Sequence, residues 1–542
     1  MIVLGLHGGV TLGQHEPGAA IAVNGRIVAA CEEERYLRIK SAYGHLPLYS
    51  IDACLRIAGI SMADVDLIVT PGETYDDFAE RIDIYIRHTY GVCPRIERIH
   101  HQLAHLAAAF YGSGYDTACC VSLDATGDGS CGMIGYASRE GGIKVLETRP
   151  TSESIGFFYT LMTYYLGFGD GDEYKVMGLA PYGEPTVDLT ALIEPSQNGW
   201  NFDWSFVREN PPVRSPFEPL YAAKIESVIG QPRRQPGAPM TQFYSDVAHS
   251  VQDMTEKCIV SMMEYVKAGY PDEPNLVFGG GVALNCKANA EILKSNLFEN
   301  VYVPPVSSDR GLALGAAYYG ATILGDKPWP LNDAYTGEEY SDAAIAEELE
   351  ANGIPYRSVD DPAEVAAKLI AEGRVIGWHQ YRSEAGARAL GARSILAACT
   401  DSEMKNRVNA RVKYREEFRP FAPATIAEAA TEYFDTGGQD FPYMCFTVPA
   451  ASGAEKIIPS VIHVDGTARL QTVRSSDNEL YYQTIKRYGE MTGVPVIMNT
   501  SFNLKGQPIV ETPRDAIMTF FGCGIDALVI GNFVVDKPNG CA

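Results

Sequence analysis

The sequence predicts an α/β protein in which a duplicated α/β domain is followed by a second, smaller α/β domain. Three observations lead to this prediction: two strand–loop–hairpin patterns of the same order, clear helical periodicity in three segments, and a change of composition near residues 335–355. The 542 residues are too many for one hydrophobic core, so two or three domains are expected. A hydrophobic share of 46% fits an ordinary globular protein.

The N-terminal segment shows the first of the two patterns. An apolar run over Met1–His7 is followed by a loop and by two further apolar runs, Ala19–Val23 and Arg26–Ala30, with Asn24-Gly25 between them. Both residues of a two-residue hairpin turn must tolerate positive φ, and Asn-Gly meets that requirement. The segment therefore predicts a strand, a loop and a hairpin.

A similar pattern begins near residue 118. The apolar run Ala118–Leu123 ends in Asp124 and a loop with the sequence TGDG, and strands are predicted at Cys131–Ala137 and Gly142–Glu147. Two such units are typical of a duplicated α/β domain with a central nucleotide-binding cleft, although two hairpins can also arise independently.

Helical periodicity and composition divide the rest of the chain. Helices are predicted at Gln102–Tyr111, Phe243–Ala268 and Gly311–Ile323. The stretch from Asp326 to Asp342 is rich in Pro, Gly and acidic residues, and the composition changes beyond it. A boundary near residues 335–355 therefore separates an expected first domain, residues 1–345, from an α/β domain of residues 346–542.

Charge and cysteine usage exclude several classes of protein. The net charge is −24 and the pI 4.9, so nucleic acid is not an expected partner, and a small neutral or cationic substrate is easier to accommodate. No uncharged apolar stretch of about 18 residues predicts a membrane span. The N-terminus lacks the features of a signal peptide, and the 12 cysteines include no C-x-x-C pair. We expect reduced thiols, no zinc ribbon and a cytoplasmic location.

Two histidines and two aspartates are candidate metal ligands. His101 and His105 are four residues apart at the start of a predicted helix, so their imidazoles share one face. Asp124 and Asp309 lie at strand-to-loop corners, and two imidazoles with two hard oxygens suit Fe(II), Mn or Zn. The alternatives are histidines bonded to the helix backbone, and Asp309 as the N-cap of the helix that begins at Gly311.

His15 is a candidate general base on the loop before the second strand. An imidazole with a pKa of ~6.5 suits proton transfer near neutral pH, although a single loop histidine is more often an ordinary loop residue. Six other histidines are expected to be structural: His7, His45, His88, His249, His379 and His463.

The segment FGGGVALN is a candidate phosphate loop. It follows an apolar strand and leads into a helix, where Gly279, Gly280 and Gly281 would let backbone N–H groups approach phosphate oxygens. It is not a Walker A loop, since no Gly-Lys-Ser/Thr follows, and close strand–helix packing is the alternative. Asn285 favours nucleotide binding, and Lys175 is either a phosphate-facing cation or a surface charge.

The second domain contains a basic segment in an acidic chain. Between Arg382 and Arg419 there are nine basic and five acidic residues, which indicates a dianionic or polyanionic ligand. A solvated helix face is the alternative, and it is the expected role of Lys405 and Arg407. The basic segment, and a polar turn after the predicted strand Val494–Met498, supply the candidate ligands Arg388, Arg393, Lys413, Arg415, Arg419, Asn499, Ser501 and Asn503.

Long motifs along nearly the whole chain, from LGLHGG to ALVIGNF, resemble the carbamoyltransferase family that includes the antibiotic O-carbamoyltransferases and the nodulation carbamoyltransferases. The motifs are EEERYLRIK, HHQLAH, GFFYTLMTYYLGFGDGDEYKVMGLAPYG, FGGGVALN, SSDRGLALGAA, RALGARSIL, RVKYREEFRPFAPA, HVDGTARLQTV and NTSFNLKGQPIV. So many motifs in one order make a chance match negligible.

The resemblance implies a fold and an activity. An N-terminal actin/hexokinase-like domain, akin to the tRNA threonylcarbamoyl transferase subunit, would be joined to a C-terminal domain like threonylcarbamoyl-AMP synthase. The C-terminal domain would make carbamoyl adenylate from carbamoyl phosphate and ATP with Mg(II), and the N-terminal domain would pass the carbamoyl group to a hydroxyl of a small-molecule acceptor. The acceptor, the choice between O- and N-carbamoylation and the oligomeric state stay open.

The resemblance also implies roles for single residues. Lys413 with Arg415 and Ser501 with Asn503 match the synthase signatures Lys-x-Arg and Ser-x-Asn, and Arg469 in DGTAR resembles a further carbamoyl-phosphate ligand. His15 matches the position proposed as base for the acceptor hydroxyl. The residues implied to bind the adenylate are Gly279–Gly281 and Asn285, and those implied to bind a metal, commonly iron, are His101, His105, Asp124 and Asp309.

Two segments depart from the family pattern. His15-Glu16-Pro17-Gly18 stands where His-Asp-Ser/Ala-Ser is usual, which suits a different acceptor. The segment AGARALGAR, residues 385–393, stands where FGPRALGNR is usual, and this change would loosen the loop that carries Arg388 and Arg393.

Three other functions agree less well with the sequence than carbamoyl transfer. The net charge of −24 and the lack of a basic arm oppose tRNA threonylcarbamoylation by a fused enzyme. A hydrogenase-maturation carbamoyltransferase would need zinc fingers, for which C-x-x-C pairs are missing. A nucleotide-binding regulator on the same fold would be expected to lack His15 or the metal set, and all of these residues are present.

Overall fold

The computed structural model of the chain describes residues 1–9, 14–207 and 221–537. These residues form two compact units. The first unit comprises Met1–Thr70, Asp77–Arg98 and Asp309–Ala542, and the second comprises Pro71–Asp76 and Ile99–Ser308. Because the first unit is discontinuous, it combines the N-terminal pattern with the whole C-terminal part of the chain. The predicted domain boundary at residue 345 stays a prediction.

The first unit begins with a five-stranded sheet. Its strands are β1 Ile2–His7, β2 Gly18–Val23, β3 Arg26–Glu32, β4 Leu67–Pro71 and β5 Arg95–Ile99, and their order is β3-β2-β1-β4-β5. Helices α1 Glu33–Leu37, α2 Leu48–Ala58 and α3 Phe78–Tyr90 connect them. The predicted hairpin is confirmed: Asn24 and Gly25 have φ of 50° and 79°, and β2 pairs antiparallel with β3.

The second unit is built on another five-stranded sheet with an added hairpin. Its strands are β6 Thr117–Gly127, β7 Ser130–Ser138, β8 Gly142–Pro150, β9 Ile193–Ser196, β10 Gly199–Phe202, β11 Asn275–Gly279 and β12 Asn300–Tyr302. Its helices are α4 His101–Ser113, α5 Ile155–Tyr165, α6 Glu173–Leu179, α7 Ile225–Ile229, α8 Gln242–Gly269 and α9 Cys286–Lys294. The main sheet has the order β12-β11-β6-β7-β8, and β9 pairs with β10.

The two five-stranded sheets share one topology. Each starts with three antiparallel strands, β1 to β3 or β6 to β8, and adds a parallel strand beside the first of them, β4 or β11. A chance pair of hairpins would not reproduce the positions of the fourth and fifth strands as well. The predicted α/β class and the duplication within it are therefore confirmed.

The C-terminal part of the first unit forms an eight-stranded mixed sheet of order β13-β22-β21-β14-β15-β20-β16-β19, with a small β17–β18 pair. The strands are β13 Arg357–Ser358, β14 Ile376–His379, β15 Arg393–Ala398, β16 Ala422–Ile426, β17 Val448–Pro449, β18 Thr467–Ala468, β19 Gln471–Val473, β20 Val496–Ser501, β21 Ala527–Ile530 and β22 Phe533–Asp536. The helices are α10 Leu312–Ile323, α11 Asp342–Ala351, α12 Pro362–Ala371, α13 Met404–Val408, α14 Ala430–Tyr433, α15 Ala454–Ile457, α16 Glu479–Thr492 and α17 Pro513–Phe521.

Close packing of β1 on α10 fixes one end of the first unit. A Cβ atom on Gly5 would lie 2.0 Å from the carbonyl oxygen of Ala313, so only glycine allows this approach. The contact places the end of β1 beside the turn that starts α10, and Asp309 opens that turn. The N-cap of α10 is Gly311, so Asp309 is not its N-cap.

No helix within the described ranges is long and apolar enough to cross a membrane. The longest helix, α8, carries charged residues along its length, among them Asp253, Glu256 and Lys257.

Candidate functional site

Helix α4 and strand β6 bring three of the predicted metal ligands together. His100 caps α4, and its Nδ1 accepts a hydrogen bond from the backbone N–H of Gln102 at 3.1 Å. His101 and His105 follow on one face of the helix, and both are buried. The pairing of β6 with β7 is interrupted after Leu123, and Asp124 lies in this irregularity, a feature that commonly re-aims a side chain next to a site.

The distances within this group suit a metal ion. Asp124 Oδ2 lies 3.3 Å from His101 Nε2 and 3.1 Å from His105 Nε2, and the two Nε2 atoms are 3.2 Å apart. A point equidistant from the three atoms lies roughly 2 Å from each, which is the usual bond length from a divalent metal to imidazole nitrogen or carboxylate oxygen. These residues therefore form a group that fits a divalent metal.

Two residues of the TGDG loop support the His101 side of this group. A Cβ atom on Gly127 would lie 2.2 Å from His101 Cγ, so glycine makes room for the imidazole. The Asp128 carboxylate accepts hydrogen bonds from the N–H of His101 at 2.8 Å and from the hydroxyl of Thr74 at 2.8 Å. Burial of Asp128 opposes ionisation, but these hydrogen bonds outweigh it and lower its pKa.

The predicted phosphate loop packs directly behind the histidine–aspartate group. A Cβ atom on Gly280, which has φ of +86°, would lie 2.2 Å from the Leu123 carbonyl oxygen, and one on Gly281 would lie 2.9 Å from Asp124 Oδ1. A Cβ atom on Gly279 would lie 3.1 Å from the His105 carbonyl oxygen. The glycines thus let the end of β11 approach β6 and α4, which is the packing role named as the alternative. Their role in phosphate binding stays a prediction.

Asn285 and Lys175 both have partners within the second unit. Asn285 caps α9 by accepting a hydrogen bond from the Ala288 N–H, and it exchanges two amide hydrogen bonds of 3.0 Å with Gln252. Lys175 Nζ donates to Asp172 Oδ2 at 2.9 Å and is mostly buried, so it is not a freely solvated surface charge.

His15 lies beside Asp309 and His7 in the first unit. Asp309 Oδ2 is 3.7 Å from His15 Nε2 and 3.6 Å from His7 Nε2. His7 Nε2 is also 3.0 Å from the His15 carbonyl oxygen. The His15 side chain is 35% exposed, whereas that of His7 is 3% exposed, so of the two imidazoles only His15 is open to a substrate. Sequence reasoning had set His7 aside as structural and missed that it touches Asp309.

Lys413 contacts the Ser-x-Asn signature at the end of β20. It ends a π-helical turn, Asn409–Lys413, and π-helical turns are frequent at functional sites. Its Nζ lies 2.5 Å from the Ser501 carbonyl oxygen, 2.8 Å from Asn503 Oδ1 and 3.1 Å from the Asn503 carbonyl oxygen. The two signatures matched by sequence, 88 residues apart, are thus in direct contact. Burial lowers the pKa of Lys413 well below its usual value, and the charges of Arg415 and Arg419 lower it further.

The neighbouring basic residues differ in how they are held. Arg415 stacks on Phe421 and donates to Asn409 Oδ1 at 2.8 Å, and Arg419 lies 3.8 Å from the Glu416 carboxylate. Arg388 and Arg469 are both half-buried in the loops that precede β15 and β19.

Arg393 and Asn499 are buried and bonded within the protein. The Arg393 guanidinium donates to the carbonyl oxygens of Gln380 at 2.7 Å and Glu338 at 3.0 Å, among others. Asn499 Nδ2 donates to Gln471 Oε1 at 3.0 Å. These bonds give both residues a structural role, and their contact with a ligand remains a prediction.

Comparison with known proteins identifies the family. A carbamoyltransferase N-terminus model matches residues 86–318, and a carbamoyltransferase C-terminus model matches residues 367–537. The chain is also 36% identical, over 577 residues, to nodulation protein NolNO of Sinorhizobium fredii, with 99% of this chain and 83% of that protein covered.

The chain belongs to the carbamoyltransferase family. The chain is likewise 38% identical to nodulation protein NolO of Bradyrhizobium diazoefficiens, in an alignment that covers 81% of this chain and 78% of that protein. The resemblance inferred from the motifs is therefore confirmed.

Solved structures similar to the carbamoyltransferase are more distant. HypF of T. kodakarensis is 12% identical, with a TM-score of 0.32. The alignment covers 60% of this chain and 47% of HypF. A ROK hexokinase from Thermus thermophilus is 15% identical, with a TM-score of 0.29. The alignment covers 60% of this chain and all of the hexokinase.

Proposed function

We propose that the protein is an ATP-dependent carbamoyltransferase that activates the carbamoyl group of carbamoyl phosphate as carbamoyl adenylate and transfers it to a hydroxyl of a small molecule. The contact of Lys413 with Ser501 and Asn503 is the observation that carries this proposal. It places a buried lysine and two polar side chains next to Arg415 and Arg419, which suits an anionic phosphate ligand that would favour the charged form of the lysine.

The first proposed reaction forms carbamoyl adenylate in two steps. Water releases carbamate and inorganic phosphate from carbamoyl phosphate, and a carbamate oxygen then attacks the α-phosphorus of ATP. A P–O bond to carbamate forms, the bond to pyrophosphate breaks, and pyrophosphate leaves with Mg(II). Lys413, Arg415 and Arg419 would offset the negative charge of the phosphates during this step. Further ligands in the proposal are Arg388, Arg393, Arg469, Asn499, Ser501 and Asn503.

The second reaction transfers the carbamoyl group. The acceptor oxygen attacks the carbamoyl carbon and AMP leaves, while His15 takes the hydroxyl proton. His15 suits this role because it is partly exposed and lies beside the Asp309 carboxylate, which would hold the imidazolium. Gly279–Gly281, Asn285 and Lys175 are proposed to bind the adenylate.

A divalent metal, Fe(II) or another ion, is part of the proposal. His101, His105 and Asp124 would hold it, and Asp309 is proposed as the fourth ligand. When bound, the metal would offset negative charge that develops on the phosphate or carbonyl oxygen. Because ATP and carbamoyl phosphate are intracellular metabolites, the proposal also places the enzyme in the cytoplasm.

The test is pyrophosphate release from ATP with and without carbamoyl phosphate. We expect release that depends on carbamoyl phosphate, and its loss in Lys413→Ala. Lys486→Ala, which removes an exposed lysine from α16, is the matched control and should behave as wild type. Absence of release from the wild type, with or without Fe(II), would end the proposal. Where release is observed, mass spectrometry after incubation with candidate alcohols would identify the acceptor.

A further inference from the structure

Glu16 and Arg310 each follow a residue of the proposed transfer site, and they bind each other. Glu16 follows His15 on one loop, and Arg310 follows Asp309 at the start of α10. Arg310 Nη1 forms an ion pair with Glu16 Oε1, and the Arg310 N–H donates to Glu16 Oε2 at 3.3 Å. Arg310 therefore holds the loop that carries His15 through both the Arg310 side chain and the Arg310 backbone N–H.

The EEER motif, Glu32–Arg35, contributes two more carboxylates around the Arg310 guanidinium. Arg310 Nε lies 3.3 Å from Glu32 Oε2, and Arg310 Nη2 lies 3.3 Å from both carboxylate oxygens of Glu34. With Glu16, three nearly buried carboxylates surround one nearly buried arginine. Burial of Arg310 opposes its charge, but the three carboxylates outweigh burial and raise its pKa. The EEER motif thus holds Arg310, a role that is separate from the residues of the proposed function.

The backbone around His15 is strained where these residues hold it. Glu16, Ser41 and Ala42 are not glycines, yet their φ angles are 55°, 60° and 37°. The Glu16 N–H donates to the Ser41 carbonyl oxygen at 2.7 Å, and the Ser41 N–H donates to Glu34 Oε2 at 2.6 Å. Strain of this kind persists only where the surroundings over-determine it, and it clusters at functional sites.

We propose that Arg310 is a positioning residue, which ties Glu16 to the EEER motif and so keeps the strained His15 loop beside Asp309. The chemical meaning of this position rests on the proposed function, in which His15 is the base. The two oxygens of the Glu16 carboxylate divide this work, since Oε1 pairs with the guanidinium of Arg310 and Oε2 accepts from its backbone N–H.

The test uses the full chain without ligand and compares Arg310→Gln, Arg310→Lys and Glu16→Gln with wild type. Hydrogen exchange measured by mass spectrometry would follow peptides that cover residues 14–18 and 38–45. Modification by diethyl pyrocarbonate would measure the reactivity of the His15 imidazole, with the exposed His88 on α3 as internal reference. Arg81→Gln, which breaks an exposed pair with Asp77, is the matched control.

We expect both peptides to exchange about tenfold faster in Arg310→Gln and Glu16→Gln, because the loop loses its buried partner. The modification rate of His15 should move toward that of His88, while His88 itself is unchanged. Arg310→Lys should restore part of the protection, since it keeps the charge but not the fork of donors. Arg81→Gln should match wild type.

The proposal would be overturned if, in Glu16→Gln, both peptides exchange hydrogen at the wild-type rate and His15 is modified at the wild-type rate. Glu16→Gln decides the matter even if Arg310→Gln does not fold, because it leaves the pairs of Arg310 with Glu32 and Glu34 in place. None of these readouts depends on carbamoyl chemistry. Failure of the proposed function would instead appear as absent pyrophosphate release in the wild type.

Discussion

At the residue scale, the environment of Lys413 bears most directly on the proposed binding of an anion. Lys413 is nearly fully buried, and its Nζ is surrounded by oxygens of Ser501 and Asn503. Burial, followed by the charges of Arg415 and Arg419, lowers its pKa. A dianionic phosphate would favour the charged form and raise the pKa again. Binding of the ligand should therefore be coupled to proton uptake.

The predicted pH dependence has a definite sign. Between the lowered pKa of Lys413 in the free protein and its higher pKa in the complex, binding takes up a proton, so affinity for carbamoyl phosphate falls as pH rises through that window. Titration calorimetry in two buffers of different ionisation enthalpy measures this uptake. Lys413→Met should abolish it. Equal apparent enthalpies in the two buffers, or uptake that persists in Lys413→Met, would contradict the role given to this residue.

At the residue scale, motifs were more informative than single charges. The Lys-x-Arg and Ser-x-Asn signatures named two candidate ligand groups, and the structure brings them into contact across 88 residues. Nothing in the sequence distinguished Arg393, whose donors go to backbone carbonyls of its own unit, from a ligand-facing arginine. Whether an arginine binds backbone carbonyls or a ligand depends on the positions that distant loops take in the folded protein. Local sequence does not report those positions.

At the scale of elements, the TGDG loop and α4 act as one support for the candidate metal group. The loop gives His101 space at Gly127 and binds its backbone N–H with Asp128. Both contacts fix the ring with respect to Asp124, and loss of such supporting contacts typically lowers metal affinity.

Gly127→Ala is expected to displace the His101 imidazole and to weaken binding of a divalent metal by about 10- to 100-fold. Isothermal titration of the metal-free protein with Fe(II) under anaerobic conditions, or with Zn(II), measures the affinity. Gly269→Ala is the matched control in the same unit, because a Cβ atom there meets nothing within 4 Å. Unchanged affinity in Gly127→Ala would show that His101 is not a ligand.

Periodicity predicted the elements around this support because their apolar patterns are long. The predicted helix Gln102–Tyr111 is His101–Ser113 in the structure, and Phe243–Ala268 is Gln242–Gly269. The π-helical turn before Lys413 was not predicted, since a single extra residue in a turn leaves no periodic signal.

At the scale of the whole molecule, the linear order of the chain did not reveal its compact units. The first unit joins residues from both ends of the chain. One reason is the buried Arg35 of the EEER motif, which donates to the Gly386 carbonyl oxygen at 3.0 Å and lies 4.0 Å from the carboxylates of Glu384 and Glu511. Contacts between residues 351 to 476 positions apart arise from tertiary packing, and composition along the chain does not report them.

The central claim is that activation at Lys413 and transfer at His15 are separate steps, and exchange of labelled pyrophosphate into ATP tests it most directly. Exchange requires reversible formation of an adenylate, so it needs the Lys413 pocket but not the base. We predict exchange that depends on carbamoyl phosphate in the wild type, its loss in Lys413→Ala and its retention in His15→Ala. No exchange in the wild type, or equal loss in both variants, would contradict the account.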